Sequence, residues 1–514
     1  MNGAEAILKT LADNAVEVCF SNPGTSEMQM VSAFDREPRV RPVLCLFEGV
    51  ATGAADGYAR MAGRPGSTLL HLGAGLANGS ANLHNARRAY SPIVNIVGDH
   101  ATYHRQYDAP LTSDIAGLAG PNSVWVKAGE TPDAAADLTT EAIVASQTGA
   151  GGTATLILPA DAAWSPATRS GPVAVVPPRP RPADGDVQAV ARALKAAKKA
   201  VLLVGSGALT EAGIAAAGRL ALVGIRIVVD TFTARQPRGA GRFTPDKMLY
   251  FGEMAMADLA GSDLMVLAGT QTPVAFFAYP DMPSVLVPPG CALMSLATPA
   301  EDGVWALQAL ADLMVAPEQA VTALEDIPAA SPTGDLTAYS IGTSIARHMP
   351  AHSVISDDAV TSGLPVYLQT RTARPHDWLS LTGGAIGQGI PVAIGAAIAS
   401  PGRKVLSLNG DGAAAYTVQG LWTMVLENLD VVTVIFANHA YRILNIELAR
   451  TKSGNAGPQA RRLLDLGDPR MDWVAMAQGF GMSATRCDTA EAFDAALARA
   501  LAGQGPHLIE AVIG

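Results

Sequence analysis

The sequence predicts an α/β protein built from three doubly wound parallel-sheet domains, of which the first and third are alike. Apolar strands alternate with helices along most of the chain, and this alternation is typical of parallel sheets. Two Pro-containing stretches, residues 166–185 and 325–335, divide the chain because proline interrupts helices and sheets. The pattern of residues 53–60, a loop, a strand and a Gly-rich loop recurs at residues 395–412, which suggests that the outer domains share one fold.

The first domain, residues 1–165, starts with an amphipathic helix and continues in repeated strand–helix units. The predicted elements are helix Gly3–Asn14, strand Glu17–Phe20, strand Val43–Phe47, helix Ala51–Ala62, strand Ser67–His71 and strand Ile93–Val97. Since parallel strands place their carboxyl ends at one edge of a sheet, the residues that follow these strands are candidates for a ligand site.

The middle domain, residues 186–325, repeats the strand–helix pattern and fades near the second Pro-containing stretch. Its predicted elements are helix Asp186–Ala197, strand Ala200–Val204 and a last clear strand, Leu264–Ala268. The turn at residues 205–207 has the sequence GSG but lacks the GxGxxG spacing, because the sixth position is Thr210. This turn therefore does not predict a dinucleotide site.

The third domain, residues 335–514, contains the most informative stretch of the chain. A buried strand, Val405–Leu408, leads into Asn-Gly-Asp-Gly, a helix of about a dozen residues and a second apolar strand, Val431–Phe436. Asp411 and Asn438 follow these two strands and supply the oxygen ligands that Mg²⁺ prefers when it also holds phosphates. The glycines on either side of Asp411 let the backbone approach an anion closely. The stretch therefore predicts a Mg²⁺–diphosphate site, although a tight structural turn is the alternative.

The composition excludes several classes of protein. The net charge of −10 and the absence of Lys/Arg clusters argue against a nucleic-acid partner. No stretch of about 18 apolar residues predicts a membrane span, and the amino terminus lacks a basic region before an apolar core. The four cysteines lie far apart without metal-ligand spacing, so we expect a reduced, cytoplasmic protein.

The GDG sequence at residues 410–412, followed after a little over twenty residues by an Asn-Asn position, resembles the motif of thiamine diphosphate (ThDP) enzymes. Here Ala437 replaces the first Asn and Asn438 is the second. The resemblance implies that Asp411, Asn438 and the main-chain carbonyl of Ala440 bind the metal ion.

The first domain extends this resemblance over nearly the whole chain. FSNPGTSE at residues 20–27 and the segment from Glu48 to Arg60 are similar to motifs of the acetolactate synthase, benzoylformate decarboxylase and pyruvate oxidase group. The resemblance implies that Glu48 contacts N1′ of the ThDP aminopyrimidine. A partly desolvated carboxyl between Phe47 and Gly49 suits proton transfer, whereas an ordinary acidic helix start is the structural alternative.

The other cofactor-binding residues are assigned by position in the family pattern. Ile386 lies where the family has a large apolar residue between the two rings of the cofactor, and an ordinary core isoleucine is the alternative. The complete set implied by the resemblance is Glu48, Asp358, Thr361, Gly384, Ile386, Gly410, Asp411, Gly412, Ala413, Asn438 and Tyr441.

The resemblance places a further group of polar residues on the substrate side. His71 lies where benzoylformate decarboxylases have an active-site histidine, and Thr25 in the NPGT turn could bind a substrate carboxylate. His100, His104 and Gln106 follow the strand Ile93–Val97. Together with Glu48 these residues form the predicted catalytic set, although a histidine at a strand end is often only structural.

The predicted activity is ThDP- and Mg²⁺-dependent cleavage of a 2-oxo acid, with release of an aldehyde or carboligation to a second carbonyl compound. For each named activity of the group, this sequence lacks at least one residue that is diagnostic of that activity. We do not expect FAD, because GTQTPVAFFAY at residues 269–279 replaces the flavin-contacting basic pattern. A lyase of 2-hydroxyacyl-CoA or oxalyl-CoA type is the alternative enzyme. A non-catalytic regulatory subunit is disfavoured by the presence of Glu48, Asp411 and Asn438.

The resemblance also predicts an assembly. In the family, the cofactor is held between the first domain of one subunit and the third domain of another. We therefore expect a homodimer or homotetramer whose active sites lie at the dimer interface and take a small 2-oxo acid, without nucleic-acid or membrane partners.

Overall fold

The computed structural model describes residues 1–451 and 456–514. The first of its three sheets is wholly parallel, with strand order β2-β1-β3-β4-β6-β5. The strands are β1 (Val18–Asn22), β2 (Arg41–Leu44), β3 (Gly66–Leu70), β4 (Ile93–Asp99), β5 (Ser123–Ala128) and β6 (Thr153–Pro159). The helices are α1 (Gly3–Asp13), α2 (Met28–Ala33), α3 (Glu48–Ala62), α4 (Leu72–Ala89), α5 (Ile115–Ala119), α6 (Pro132–Gln147) and α7 (Ala160–Trp164).

The second sheet has five parallel strands in the order β10-β8-β7-β11-β12. The strands of this part of the chain are β7 (Ala200–Val204), β8 (Arg226–Val229), β9 (Gln236–Arg238), β10 (Asp246–Lys247), β11 (Leu264–Ala268) and β12 (Ala292–Ala297). The helices are α8 (Asp184–Ala196), α9 (Glu211–Leu222), α10 (Gly252–Asp258) and α11 (Gly303–Leu313). Strand β12 lies beyond the last strand predicted from the sequence, because its exposed, Ser-containing face weakens the apolar pattern.

The third sheet has seven strands in the order β17-β18-β16-β15-β13-β14-β9. Six of them are parallel, whereas β9 pairs antiparallel with β14. The strands that follow β12 are β13 (Ser353–Asp358), β14 (His376–Ser380), β15 (Val405–Gly410), β16 (Val431–Ala437), β17 (Ser483–Cys487) and β18 (His507–Val512). The helices are α12 (Ala338–His348), α13 (Gly363–Gln369), α14 (Gly389–Ala399), α15 (Asp411–Ala414), α16 (Gly420–Leu426), α17 (Arg442–Arg450), α18 (Pro458–Arg462), α19 (Trp473–Gly479) and α20 (Ala490–Ala502). The three parallel-dominated sheets confirm the predicted fold class.

The predicted length of the helix after Gly412 is wrong. Two short helices, α15 and α16, occupy this region instead of one helix of about a dozen residues. The chain turns between them at Thr417, whose hydroxyl donates to the carbonyl of Gly387 at 2.9 Å. This tertiary contact outweighs the local helix propensity of the Ala-rich segment.

A close crossing of α3 and α14 joins the first and third sheets through one core. Gly57 and Gly395 lie at this crossing. A Cβ atom on Gly57 would lie 2.1 Å from the carbonyl oxygen of Val392, and one on Gly395 would lie 1.8 Å from that of Ala54. The two backbones touch only because both residues lack side chains.

Arg60 ties all three parts of the chain together near this crossing. Its side chain is 1% exposed and pairs with Asp56, one helical turn earlier in α3. The guanidinium also donates to the carbonyl of Ser380 at 2.8 Å, the hydroxyl of Thr382 at 3.0 Å and the carbonyl of Ala234 at 3.4 Å. A buried charge is tolerated here because its donors are matched by acceptors.

In the described part of the chain, no helix combines the length and the apolar character needed to cross a membrane.

Candidate active site

The candidate cofactor edge lies where three neighbouring parallel strands end. Strand β15 lies between β13 and β16, with Asp358 opposite Asn409 and Gly410 opposite Phe436. Asp411 and Asn438 immediately follow the ends of two adjacent strands, so the fold brings them to one edge of the sheet.

The hydrogen bonds of Asp411 connect the two loops at this edge. Its carboxylate accepts from the backbone N–H of Gly412 at 2.8 Å and from that of His439 at 2.6 Å. Burial raises the pKa of Asp411, and these two hydrogen bonds oppose that effect. The amide oxygen of Asn438 accepts from the N–H of Ala440 at 3.0 Å. The three predicted metal ligands, Asp411, Asn438 and Ala440, therefore lie in two loops joined by hydrogen bonds.

Several polar atoms at the same edge are buried without a hydrogen-bond partner among the described residues. They are Oδ1 of Asp358, Oδ1 of Asn409 and Nε2 of His439. The other carboxylate oxygen of Asp358 accepts from the N–H groups of Gly387 and Gly389 at 2.8 and 3.1 Å, and burial raises the pKa of Asp358 to about 7. Because buried polar groups are normally paired, this cluster fits a polar ligand that supplies the missing partners.

The turn after Asp358 carries backbone strain. Val360 has a φ of +51°, a conformation that β-branched residues rarely adopt. Thr361 is the next residue and is half-buried in the same turn, Val360–Ser362. Such strain is concentrated at functional sites, which agrees with a ligand-binding role for this turn.

The glycines of the candidate cofactor loop, residues 382–387, are required by both backbone and packing. Gly384 and Gly387 have φ values of +79° and +98°. A Cβ on Gly384 would lie 2.3 Å from the ring of Phe276, and one on Gly387 would lie 2.6 Å from Cβ of Tyr416. Ile386, between these glycines, is half-buried.

Tyr441 contacts the GDG turn directly. A Cβ on Gly412 would lie 2.4 Å from the ring of Tyr441, so the ring packs on the backbone of that glycine. Ala413, the next residue, is buried. Gly410 has open space, since a Cβ there would lie 4.0 Å from the carbonyl oxygen of Asp358. The turn is thus packed on one side and open beside Gly410.

Glu48 is the first residue of α3 and lies half-buried at the carboxyl edge of the first sheet. Its carboxylate accepts a hydrogen bond from the side-chain amide of Asn78 at 3.0 Å. Gly75 leaves room for it, since a Cβ there would lie 3.1 Å from the other carboxylate oxygen. Helix α4, which carries both Gly75 and Asn78, therefore fixes the direction of the Glu48 side chain.

A second acid–base group lies at the same edge. Nδ1 of His71 is 2.7 Å from a carboxylate oxygen of Glu27, whose side chain is 1% exposed. Since a carboxylate only accepts, Nδ1 carries the proton and Nε2 is left to meet another group. Glu27 also accepts from Ser26 at 2.7 Å and from the N–H of Gly24 at 2.8 Å. Two of these groups, Glu27 and Ser26, were not singled out from the sequence.

Two family models match the chain at its ends. The thiamine pyrophosphate enzyme N-terminal TPP binding domain matches residues 1–118, and the corresponding C-terminal TPP binding domain matches residues 362–511. A Mycobacterium tuberculosis protein, IlvX, is 50% identical over all of this chain and 99% of its own length. The chain belongs to the thiamine pyrophosphate enzyme family.

Other relatives of this ThDP enzyme have different named activities. The name of IlvX assigns it only provisionally to the acetolactate synthase large subunits. Benzoylformate decarboxylase of Pseudomonas aeruginosa is 26% identical over 98% of this chain and 97% of its own. The solved structure of a ThDP-dependent 4-hydroxybenzoylformate decarboxylase from Rhodococcus jostii superposes with a TM-score of 0.86, at 24% identity, over 100% of this chain and 99% of its own. The last comparison concerns the fold alone.

The remaining residues predicted for the substrate side of this ThDP enzyme are less enclosed. Thr25 is exposed in the short turn Thr25–Glu27. The rings of His100 and His104 lie 5.4 Å apart, and Nε2 of His100 is buried without a partner among the described residues. Gln106 is exposed and donates to the carbonyl of Tyr103. No hydrogen bond within the described ranges joins these residues to Glu27 or His71.

Sequence reasoning also missed the residues that hold the cofactor loop. Asn85 and His84, in α4, contact residues 382–385, and Phe276 packs against Gly384 from the middle part of the chain. The glycines at residues 73–79 predict a loop, whereas the structure has helix α4 there, so the place of these residues on a helix that starts after His71 was not available from the sequence. Contacts between residues 300 positions apart cannot be inferred from spacing.

Proposed function

We propose that the protein is a ThDP- and Mg²⁺-dependent enzyme that cleaves a 2-oxo acid next to its carbonyl group. Loss of CO₂ followed by protonation of the carbonyl carbon gives an aldehyde, and addition to a second carbonyl compound gives a carboligation product. The observation that carries the proposal is the pair of hydrogen-bonded loops after β15 and β16, which bring Asp411 and Asn438 to one sheet edge, where several buried polar atoms have no partner among the described residues.

The residues of the third sheet supply the binding site. In the proposal, Asp411, Asn438 and the carbonyl of Ala440 hold Mg²⁺, and the backbone of the turn at Gly410, Gly412 and Ala413 binds the diphosphate. The remaining cofactor contacts come from Asp358, Thr361, Gly384, Ile386 and Tyr441. When bound, ThDP supplies an electron sink for the pair of electrons released as CO₂ leaves.

The residues of the first sheet supply the proton chemistry. Glu48 holds or delivers a proton at the edge of the aminopyrimidine, with its direction set by Asn78. The hydrogen bond to Glu27 keeps the proton on Nδ1 of His71 and fixes the orientation of the ring. In the proposal, the unprotonated Nε2 of that histidine faces the substrate. The buried position of Glu27 keeps water from competing for this contact.

Two measurements test the proposal. Apoprotein titrated with ThDP and Mg²⁺ is expected to accelerate proton–deuterium exchange at C2 of ThDP, followed by NMR, and Glu48→Gln is expected to abolish the acceleration. A product screen with pyruvate, benzoylformate, longer 2-oxo acids and oxalyl-CoA then identifies the substrate class. Exchange no faster than that of free ThDP would refute catalysis and favour a regulatory subunit. Turnover of oxalyl-CoA alone would replace the 2-oxo acid assignment by a thioester lyase.

A further inference from the structure

Helix α4 contacts candidate residues in both the first and the third parts of the chain. Asn78, in its middle, donates to Glu48, and the helix begins immediately after His71. Seven residues beyond Asn78, the side chain of Asn85 reaches across to the third sheet and contacts the cofactor loop at residues 382–385. One rigid element therefore carries contacts to the first-sheet acid–base groups and to the cofactor loop.

Asn85 makes a two-sided contact with one residue of the loop. Its side-chain N–H donates to the carbonyl of Ala385 at 2.8 Å, and its side-chain oxygen accepts from the N–H of Ala385 at 3.2 Å. The second side-chain N–H donates to Asn82 at 3.0 Å, and the backbone carbonyl of Asn85 accepts from the hydroxyl of Thr382 at 2.7 Å. Asn85 is fully buried, and all polar groups of its side chain are paired.

The neighbouring residues leave the loop little freedom. Nε2 of His84 lies 3.1 Å from the carbonyl of Gly383, so this nitrogen carries a proton and donates. A Cβ on Gly383 would lie 2.5 Å from the side-chain oxygen of Asn85. On the other side, Phe276 packs against Gly384. The backbone at residues 382–385 is thus clamped immediately before Ile386.

We propose that Asn85 is a positioning residue: it fixes the peptide groups of Ala385 and thereby holds Ile386 and the cofactor loop in the conformation that receives the cofactor. The effect on catalysis rests on the proposed function, whereas the effect on the loop does not. A buried amide paired on every side cannot be replaced by water or by a methyl group without leaving the peptide groups of Ala385 unpaired.

The test compares Asn85→Ala with Asn122→Ala. Asn122 is a matched control because it is also buried and also binds α4, donating to the hydroxyl of Ser80 at 3.0 Å, but it does not contact the loop in the described structure. Amide hydrogen exchange of the apoprotein, followed by mass spectrometry, is expected to accelerate by about tenfold or more in peptides covering residues 382–387 of Asn85→Ala only. Equal protection of these peptides in both variants would overturn the proposal, whatever the activity of the protein.

Cofactor affinity gives a second readout. With Mg²⁺ present, ThDP titrated calorimetrically is expected to bind about tenfold more weakly to Asn85→Ala than to Asn122→Ala. C2 exchange in the saturated variant is expected to be slower than in the control. If wild type shows no C2 exchange but the loop peptides respond to Asn85→Ala, the proposed function fails and the positioning role stands. Unchanged affinity and C2 exchange in a catalytically active protein would overturn the role of Asn85 toward the cofactor.

His84→Ala provides a second variant that tests the proposal if Asn85→Ala does not fold. His84 is half-buried and contacts the loop through the carbonyl of Gly383 only, so its truncation is expected to give a smaller change of the same kind. Asn85→Asp keeps the acceptor for Ala385 but loses both side-chain donors, and is expected to fall between wild type and Asn85→Ala. Failure of both variants to alter exchange at residues 382–387 would contradict the proposal.

Discussion

Asp411 combines three properties that a metal ligand beside a diphosphate requires. It is buried, it lies at the carboxyl end of a parallel strand, and backbone N–H groups fix both carboxylate oxygens. Asp411→Ala is therefore expected to weaken Mg²⁺-dependent ThDP binding by at least about 100-fold, since even indirect partners of a metal contribute 10–100-fold. Calorimetric titration of ThDP with and without Mg²⁺ measures the loss.

A matched control removes a carboxylate from the opposite edge of the same sheet. Asp430 immediately precedes β16 and pairs with Lys404, away from the strand carboxyl ends. Asp430→Ala is expected to leave ThDP affinity unchanged. If the two variants bind ThDP equally well, the assignment of Asp411 as a metal ligand is wrong.

His376 gives the protein a pH dependence that is unrelated to catalysis. Its ring is fully buried, Nδ1 donates to the carbonyl of Arg374 at 2.8 Å, and burial together with Arg238 lowers the pKa of His376 to about 3. The unfolded chain takes up a proton near pH 6.5, whereas the native state stays neutral. Stability is therefore expected to fall as the pH decreases from about 6.5 toward 3.

Thermal melting of the apoprotein at several pH values tests this expectation. His376→Gln removes the titrating group, so the melting temperature of the variant is expected to depend less on pH between about 7 and 4. His352→Gln, at an exposed position, is the control and should behave as wild type. The hypothesis fails if the melting curves of His376→Gln follow those of wild type at every pH.

At the level of single residues, the sequence was informative where a motif fixed both residue type and spacing. Asp411 and Asn438 follow two adjacent parallel strands, as the sequence predicts, and their role as metal ligands stays a prediction. Glu27 and Asn78 could not be found in this way, because their roles depend on His71 and Glu48, which meet them only in the folded chain.

Helices α3 and α14 cross with their backbones in contact at Gly57 and Gly395. Gly57→Ala is expected to destabilise the protein by about 1–3 kcal/mol, because the new methyl group would overlap the carbonyl of Val392 and force the helices apart. Gly185→Ala is the control, since Gly185 lies in α8 with nothing within 4 Å of a Cβ and alanine favours the helix. Denaturant unfolding measures the free energy of unfolding of both variants. An equal free energy of unfolding for Gly57→Ala and wild type would show that the crossing is not tight.

Sequence periodicity predicted most helices and strands, but it missed the features that tertiary contacts determine. Strands β7 and β11 have the predicted bounds, because both are fully apolar runs between turns. Strand β9 was missed, since a three-residue Gln-Pro-Arg segment has no strand pattern and is held by pairing with β14. The break between α15 and α16 likewise depends on the contact of Thr417 with Gly387.

At the scale of the molecule, the two groups of candidate residues lie on different sheets. Glu48 and His71 lie at the edge of the first sheet, and Asp411 and Asn438 lie at the edge of the third. No hydrogen bond among the described residues joins the two groups. A twofold dimer that sets the first sheet of one subunit against the third sheet of another would complete two sites at once. We therefore expect at least a homodimer with shared sites.

Mixed subunits of two inactive variants test the shared-site expectation. Glu48→Gln removes the carboxyl proposed to handle the proton and Asp411→Ala removes the proposed metal ligand, so each homodimer is expected to be inactive. In a mixed dimer with shared sites, one site carries both defects and the other carries neither, which is expected to restore up to about half of the wild-type activity per dimer. The measurement is turnover after joint denaturation and reassembly, with wild type treated in the same way. Verified heterodimers without activity, beside a recovered wild type, would show that each site is built within one chain.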